Sequence, residues 1–250
     1  MPAPASLAVL RARLHALQPQ AGHGVLPFGD PRVDACLPEG GLALGALHEV
    51  GAAGIEAETG AVAAGFIACL LARLPGIKPL FWIAPACDLH APGLLAYGLD
   101  PGRLVLVQTR DDAETLAAME AVLREGAATA VVAEAGRLGR IASRRLQLAC
   151  LKRGTTGFVL RRWPHGRTAA VQEATAAVTR WQVAPAPSTA AHREPGPPRW
   201  RVELAHARGG IEGAWIMQAG GSSDAAHPLR VVAELADAAP APAVRPGRAG

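Results

Sequence analysis

The chain has 250 residues, of which half are apolar and 18% are charged, and its net charge at neutral pH is +4. This composition is typical of a folded globular protein and excludes a mainly disordered chain, which would be poor in apolar residues and rich in charge. The longest apolar run, Gly60 to Ala72, stops at Arg73 and is shorter than the roughly 18 to 20 residues that span a membrane. Because no secretory signal pattern opens the sequence, we expect a cytoplasmic protein with no membrane partner.

The cysteines and histidines predict neither a metal site nor a redox centre. Cys36, Cys69, Cys87 and Cys150 form no CxxC pair, and the eight histidines are scattered singly. No HExxH or GxSxG pattern is present, so a metalloprotease or a serine hydrolase is unsupported. We therefore expect reduced core cysteines and no cofactor.

The first predicted element is an amphipathic helix, which with its connector makes up residues 1–25. Its apolar residues recur at spacings of 3 and 4, as on one face of a helix. Such a stripe must be buried, either on the chain's own core or on a neighbouring protein. We identify it as a candidate partner-binding surface, formed by Leu7, Leu10, Leu14 and Leu17.

Residues 26–183 alternate predicted strands and helices with short loops between them. This alternation favours an α/β fold, a mostly parallel sheet with helices on both faces. Residues 42–50 are predicted to form a turn that leads into a short strand, and the strands predicted after it are 79–84, 103–108, 128–133, 156–161 and 177–183. The predicted helices are 56–72, 88–98, 111–124 and 138–153.

The remaining residues are predicted to form a linker, a hairpin and a tail. Residues 184–198 are rich in proline, which favours an extended linker. Residues 199–236 contain a predicted β-hairpin, and residues 237–250 are Ala/Pro-rich and predicted to be disordered. Trp200, Trp215 and Ile216 are large residues of the kind common at binding hot spots, so they are further candidates for partner binding.

The sequence before and within the first core strand contains a set of distinctive short motifs, Phe28-Gly-Asp-Pro-Arg-Val-Asp34, Leu37-Pro-Glu-Gly-Gly-Leu42, Gly45 and His48-Glu-Val-Gly51. With these motifs the chain resembles the RecA superfamily and, within it, the ImuA family. The resemblance covers residues 26–183 and extends to the hairpin. It implies a RecA-like fold and an ImuB-like, polymerase-related partner in damage-induced, error-prone translesion synthesis. An error-prone replicative-type polymerase is implied as an indirect partner, with RecA and single-stranded DNA as further candidates.

The phosphate-binding loop of that superfamily is degenerate in this chain. Such a loop holds phosphates with backbone N–H groups, a lysine and a hydroxyl that binds Mg²⁺. In a match that begins at Gly51 and passes Gly54, the conserved Gly, Lys and hydroxyl positions are taken by Glu56, Ala57 and Glu58. Thr59 lies one residue further and has no lysine beside it. Two carboxylates at a phosphate site would repel the nucleotide.

The metal-supporting carboxylate at the end of the Walker B strand is also displaced. Ala133 stands at its position, and Glu134 follows one residue later. Asp88, after the second core strand, is the other nearby carboxylate. We therefore expect a non-catalytic RecA-like adaptor. The alternatives are a DNA-dependent ATPase or recombinase with a divergent nucleotide site, and an inhibitor of cell division that resembles SulA.

A strongly basic segment runs from Arg137 to Arg167, with nine Lys or Arg residues and no acidic residue. Such a segment is typical of a surface that binds a phosphate backbone or an acidic protein, although a solvated helix face gives the same pattern. The candidates for DNA contact are Arg137, Arg140, Arg144, Arg161, Arg162, Trp163 and Arg167.

Overall fold

The computed structural model describes residues 22–54, 56–86, 88–162, 174–188, 196–220 and 229–235, with the side chains of residues 56–60 left undescribed. The predicted N-terminal helix with its four leucines lies outside these residues, as do Trp163 and Arg167. Within the described ranges, no helix is both long and apolar enough to cross a bilayer.

The described residues form eleven strands, four α-helices and three short 3-10 helices. The strands are β1 (Val25–Leu26), β2 (Leu42–Ala43), β3 (Leu47–Ala52), β4 (Leu80–Ala84), β5 (Leu104–Gln108), β6 (Ala130–Glu134), β7 (Thr156–Arg161), β8 (Thr179–Ala186), β9 (Arg199–Ala207), β10 (Gly213–Ala219) and β11 (Leu229–Glu234). The α-helices are α1 (Pro31–Asp34), α2 (Glu56–Arg73), α3 (Asp112–Glu125) and α4 (Arg140–Arg153). The 3-10 helices are Pro38–Gly40, Ala91–Tyr97 and Pro101–Arg103.

Nine of the described strands form one sheet, in the order β11-β10-β9-β8-β3-β7-β6-β4-β5. The six strands from β8 to β5 are parallel, and β9, β10 and β11 extend the sheet in antiparallel fashion. Helix α2 packs on one face of the sheet, and α3 and α4 pack on the other. The predicted fold class, an α/β protein with a mostly parallel sheet between helices, is confirmed.

The core consists of two apolar layers, one on each side of the sheet. On the α2 side, Phe66 of the helix and Phe28 pack around the ring of Trp181. On the other side, Met119 and Leu146 lie in the second layer. The central strands are therefore buried on both faces, which explains why they occur in the sequence as short continuous apolar runs.

The structure changes two predicted boundaries. The helix predicted at 88–98 is a 3-10 helix over Ala91–Tyr97, with Pro92 in its first turn and Gly98 capping its end in the left-handed conformation. Strand β8 continues to Ala186, three residues into the predicted linker 184–198.

The hairpin predicted after the proline-rich linker is part of the main sheet. Strand β9 pairs with β8 along its whole length, from Thr179 opposite Ala207 to Ala186 opposite Arg199. The hairpin thus extends the main sheet, and β11, which was not predicted, adds a third antiparallel strand. The physical reason is the alternation of inward apolar side chains along β9, which must be buried against the core.

A buried hydrogen-bond chain connects β3 to β8. His48 is fully buried, with Nε2 2.8 Å from the carbonyl oxygen of Ala43 and Nδ1 2.7 Å from Oγ1 of Thr179. Since a carbonyl only accepts, Nε2 carries the proton and Nδ1 accepts from the threonine hydroxyl. That hydroxyl in turn accepts from Trp181 Nε1 at 2.8 Å. Burial lowers the pKa of His48 from its ordinary 6.5 to about 4, so the neutral ring is favoured.

This histidine should make folding pH-dependent. Between pH 6.5 and pH 4 the unfolded chain binds a proton that the folded chain does not, so stability falls as the pH falls through this window. We expect His48 to lower the free energy of unfolding by about 2 kcal/mol at pH 5.0 relative to pH 7.5. Urea titrations should show a smaller pH dependence for His48→Gln, whereas the exposed control His206→Gln should retain the wild-type dependence. Equal pH dependence in both variants would contradict the assignment.

Candidate functional site

The candidate site lies at the carboxyl ends of the parallel strands, where open α/β sheets bind their ligands. Strand β3 reaches this edge at Gly51 and Ala52, and α2 begins at Glu56. Gly54 has a φ of 122°, which favours glycine at this point of the loop. Because the side chains of Glu56, Ala57, Glu58 and Thr59 are not described, the expectation that carboxylates face a phosphate position stays a prediction.

The neighbouring strand ends carry an ion-pair cluster centred on Arg162, which follows β7. Its Nη1 lies 2.7 Å from Oε2 of Glu134, the last residue of β6. The same guanidinium binds Asp88 in bidentate fashion, at 2.8 and 2.9 Å. The second oxygen of Glu134 accepts a 2.6 Å hydrogen bond from Nε1 of Trp82 in β4. We call these four residues the Arg162 cluster.

The two carboxylates of the Arg162 cluster differ in their environment. Burial raises the pKa of Glu134, whose side chain is 5% exposed, while the hydrogen bonds from Trp82 and Arg162 oppose that rise. The hydrogen bond from Arg162 lowers the pKa of Asp88, whose side chain is 54% exposed. The two pKa values shift in opposite directions because the effect of desolvation exceeds that of the cation at the buried Glu134 but not at the exposed Asp88.

This arrangement does not fit a magnesium-bound nucleotide. Both oxygens of Glu134 already have hydrogen-bond partners, and both oxygens of Asp88 bind the guanidinium. A divalent cation at these carboxylates would have to displace Arg162 and would then lie beside its positive charge. Across the residues whose positions are described, no group of three His, Cys, Asp or Glu side chains could hold a metal ion.

A second ion cluster lies on the opposite face of the sheet, around the buried carboxylate of Glu49. Arg161 Nη1 lies 3.4 Å from Glu49 Oε2, and Arg180 Nε lies 3.8 Å from the same oxygen. Thr175 donates its hydroxyl to the other carboxylate oxygen. Arg161 also donates through Nη2 to the carbonyl oxygen of Gly136 at 2.8 Å. This cluster joins β3, β7 and β8 to the segment that leads into β8.

The structure divides the predicted DNA-contact residues into two groups. Arg161 and Arg162 are only 18% and 22% exposed and take part in the ion clusters, which differs from the prediction that their side chains face DNA. Their acidic partners lie on other strands and loops. Fewer cations of the basic segment are therefore available for contact with DNA than the sequence indicated. Arg137 lies just before α4, Arg140 and Arg144 lie in its first turns, and all three are exposed.

The predicted partner anchors on the hairpin are placed differently from the prediction. Trp200 and Trp215 are 2% and 1% exposed, so their rings belong to the core and are not surface anchors. Gly65 of α2 packs closely against the ring of Trp200, which explains why this helix position is small. Ile216 is half-buried in β10, opposite Arg201 of β9.

No model of a known protein family matches the chain. The chain is 47% identical over 221 residues to Protein ImuA of Caulobacter vibrioides strain NA1000 / CB15N, a match that covers 85% of the chain and 91% of that protein. Protein ImuA of strain ATCC 19089 / CIP 103742 / CB 15 matches to the same extent. The chain belongs to the ImuA family. The family resemblance predicted from the sequence is therefore confirmed.

The sequence of this ImuA-family chain indicates Asp88 and Glu134 as site carboxylates but does not indicate that Arg162 binds them. It does not indicate Trp82 or Glu49 either, because each is an ordinary strand residue in the sequence. A signal was present, since parallel strands that are neighbours in the sheet end at the same edge. Using that signal requires the order of the strands in the sheet, which the sequence alone does not reveal.

The Arg162 cluster should contribute to stability through a buried charge. We expect Arg162→Met to lower the free energy of unfolding by about 2 kcal/mol, because Glu134 would lose its cation in a buried position. The double variant Arg162→Met/Glu134→Gln should lose less than the single variant, because no unpaired carboxylate remains. Chemical denaturation at pH 7.5 measures both. Arg110→Met, which removes a surface ion pair to Glu114, is the matched control and should unfold like the wild type.

Proposed function

We propose that this chain is a non-catalytic, RecA-like adaptor that binds an ImuB-like protein in an error-prone translesion synthesis complex. Membership of the ImuA family supports a role in the ImuA/ImuB mutagenesis system. The observation that carries the non-catalytic part is the Arg162 cluster, in which the guanidinium binds both Glu134 at the end of β6 and Asp88 after β4, the two carboxylates that the sequence offered for metal support.

The chemistry of phosphoryl transfer supports this proposal. Such transfer depends on metal and lysine groups that neutralise the developing charge on the phosphates. The chain has two lysines, Lys78 and Lys152. Lys78 precedes β4 and donates to the carbonyl oxygen of Gly126, and Lys152 lies in the last turn of α4. Both positions are at the amino ends of the strands, the opposite edge from Gly51.

The first test is nucleotide turnover. The purified chain, with single-stranded DNA, Mg²⁺ and ATP, should release no phosphate above a blank, while a RecA protein in the same assay shows turnover. Titration calorimetry with Mg²⁺ and a non-hydrolysable ATP analogue should give no binding heat. Sustained phosphate release would favour the alternative of a DNA-dependent ATPase and would overturn the non-catalytic proposal.

The second test is partner binding. The chain should co-purify with the ImuB-like protein of the same organism when the two are expressed together, and it should not bind the division protein FtsZ. A stable complex with FtsZ and none with the ImuB-like protein would favour the SulA-like alternative. Binding to RecA or to single-stranded DNA is a separate expectation, to be measured with each purified component.

A further inference from the structure

Helix α4 carries apolar residues on its outer face as well as on its inner face. Leu146 and Cys150 pack inward in the core layer between α4 and the sheet. Three further aliphatic side chains point outward, and Ile141, Leu148 and Leu151 are 79%, 61% and 40% exposed. Single exposed aliphatic residues are ordinary. Three on one four-turn helix form an apolar surface that the core layer between α4 and the sheet does not bury.

The three side chains lie close together along the helix. Ile141 and Leu148 are separated by seven residues, or two turns, so they lie about 10 Å apart on nearly the same line. Leu151 lies one turn after Leu148. This spacing matches that of the anchor positions at which one amphipathic helix contacts another.

Cations surround this apolar surface. Arg144 and Lys152 each lie four residues from Leu148, and Arg140 precedes Ile141 in the first turn. Helix α4 contains no acidic residue. Arg145 pairs with Glu120 of α3 at 2.7 Å. Arg140, Arg144 and Lys152 form no ion pair with another residue in the part of the chain that the structure describes.

We propose that this outer face of α4 is a docking surface for an acidic amphipathic segment of a protein partner. The proposal rests on the proposed function, in which that partner is the ImuB-like protein. Apolar side chains of the partner would cover Ile141, Leu148 and Leu151, and its carboxylates would pair with Arg140, Arg144 and Lys152. Opposite charges at the rim of an apolar contact favour fast association and a defined orientation.

Charge disfavours two other protein occupants. The chain's own residues 1–21 contain Arg11 and Arg13 and no acidic residue, so their leucine stripe would bring positive charge to a positive surface. A second copy paired through the same face would also bring like charges together. Neither occupant would supply carboxylates that could pair with Arg140, Arg144 and Lys152.

Nucleic acid is also disfavoured as the occupant of this face. Proteins that bind single strands combine cations with aromatic rings on which bases stack. The sequence of α4, Arg140 to Arg153, contains no aromatic residue, and the side chains between its cations are aliphatic. Phosphate contacts would leave Ile141 and Leu148 exposed to water, whereas an amphipathic protein segment would cover them.

The test measures the affinity of the full-length chain for the purified ImuB-like protein. Ile141→Glu and Leu148→Glu should each weaken binding at least tenfold, since each places a carboxylate in the apolar contact against an acidic partner. Leu95→Glu is the matched control, because Leu95 is 54% exposed and lies in the 3-10 helix Ala91–Tyr97, whose Leu94 and Tyr97 pack on the α2 side of the sheet, the face opposite α4. This control should bind like the wild type, and thermal unfolding should show that all three variants are folded.

A charge series tests the acidic character of the partner. Arg144→Glu should weaken binding more than Arg144→Gln, and Arg144→Lys should retain most of it. Wild-type affinity should fall as salt concentration rises but should not vanish, because the apolar contact is not screened.

The outcomes separate this proposal from the proposed function. If the wild-type chain fails to bind the ImuB-like protein, the proposed function is wrong. If the wild type binds and both Ile141→Glu and Leu148→Glu bind equally well, the docking surface is wrong while the function stands. If these variants keep the partner but lose affinity for a fluorescent single-stranded oligonucleotide, the face binds DNA and the protein-docking proposal is overturned.

Discussion

The architecture of the candidate site depends on one guanidinium, that of Arg162, held between Glu134 and Asp88. The contact is possible because β7, β6 and β4 are neighbours in the sheet and all end at the same edge. It joins the end of β7 to the end of β6 and to the loop after β4, and Trp82 fixes the remaining oxygen of Glu134. The carboxylate oxygens of Glu134 and Asp88 that bind Arg162 are also the oxygens that a metal ion would bind. The ion pairs that stabilise this edge therefore compete with the metal binding that nucleotide chemistry requires.

An α/β sheet of this kind supports many functions, and the fold alone does not decide among them. In this ImuA-family chain the usual ligand edge is occupied by internal ion pairs on both faces of the sheet, the Arg162 cluster on one and the Glu49 cluster on the other. A chain whose ligand edge is occupied by internal ion pairs can still bind a partner through its outer surfaces. On the outer face of α4, exposed apolar side chains lie beside cations that form no ion pair with a described residue.

The sequence predicted the order of strands and helices well because the central strands are buried on both faces. Strands such as β4 and β6 therefore occur as apolar runs that allow few other interpretations. The ion clusters were not predictable, since Arg161 is 112 residues from Glu49, and Arg162 is 74 and 28 residues from Asp88 and Glu134. In the sequence these arginines belong to a basic segment, and only the strand order reveals their acidic partners. The burial of Trp200 differs from its predicted role as a partner anchor for another reason. The proline-rich stretch before it favours a linker, although the alternation of Trp200, Val202 and Leu204 is that of a strand with one buried face.

The two helices on the α3–α4 side of the sheet show why the outer face of α4 is unusual. The outward positions of α3 include Ala113, Ala117 and Ala121, small residues that expose little apolar surface. In α4 the outward positions include isoleucine and leucine, although its inward residues already attach the helix to the sheet. Full burial of one such side chain contributes about 1.5 to 3 kcal/mol, so a partner that covers all three would gain several kcal/mol before any ion pair forms. The flanking cations add little to that sum at an exposed rim, but they restrict which partner can approach, and an acidic one is favoured.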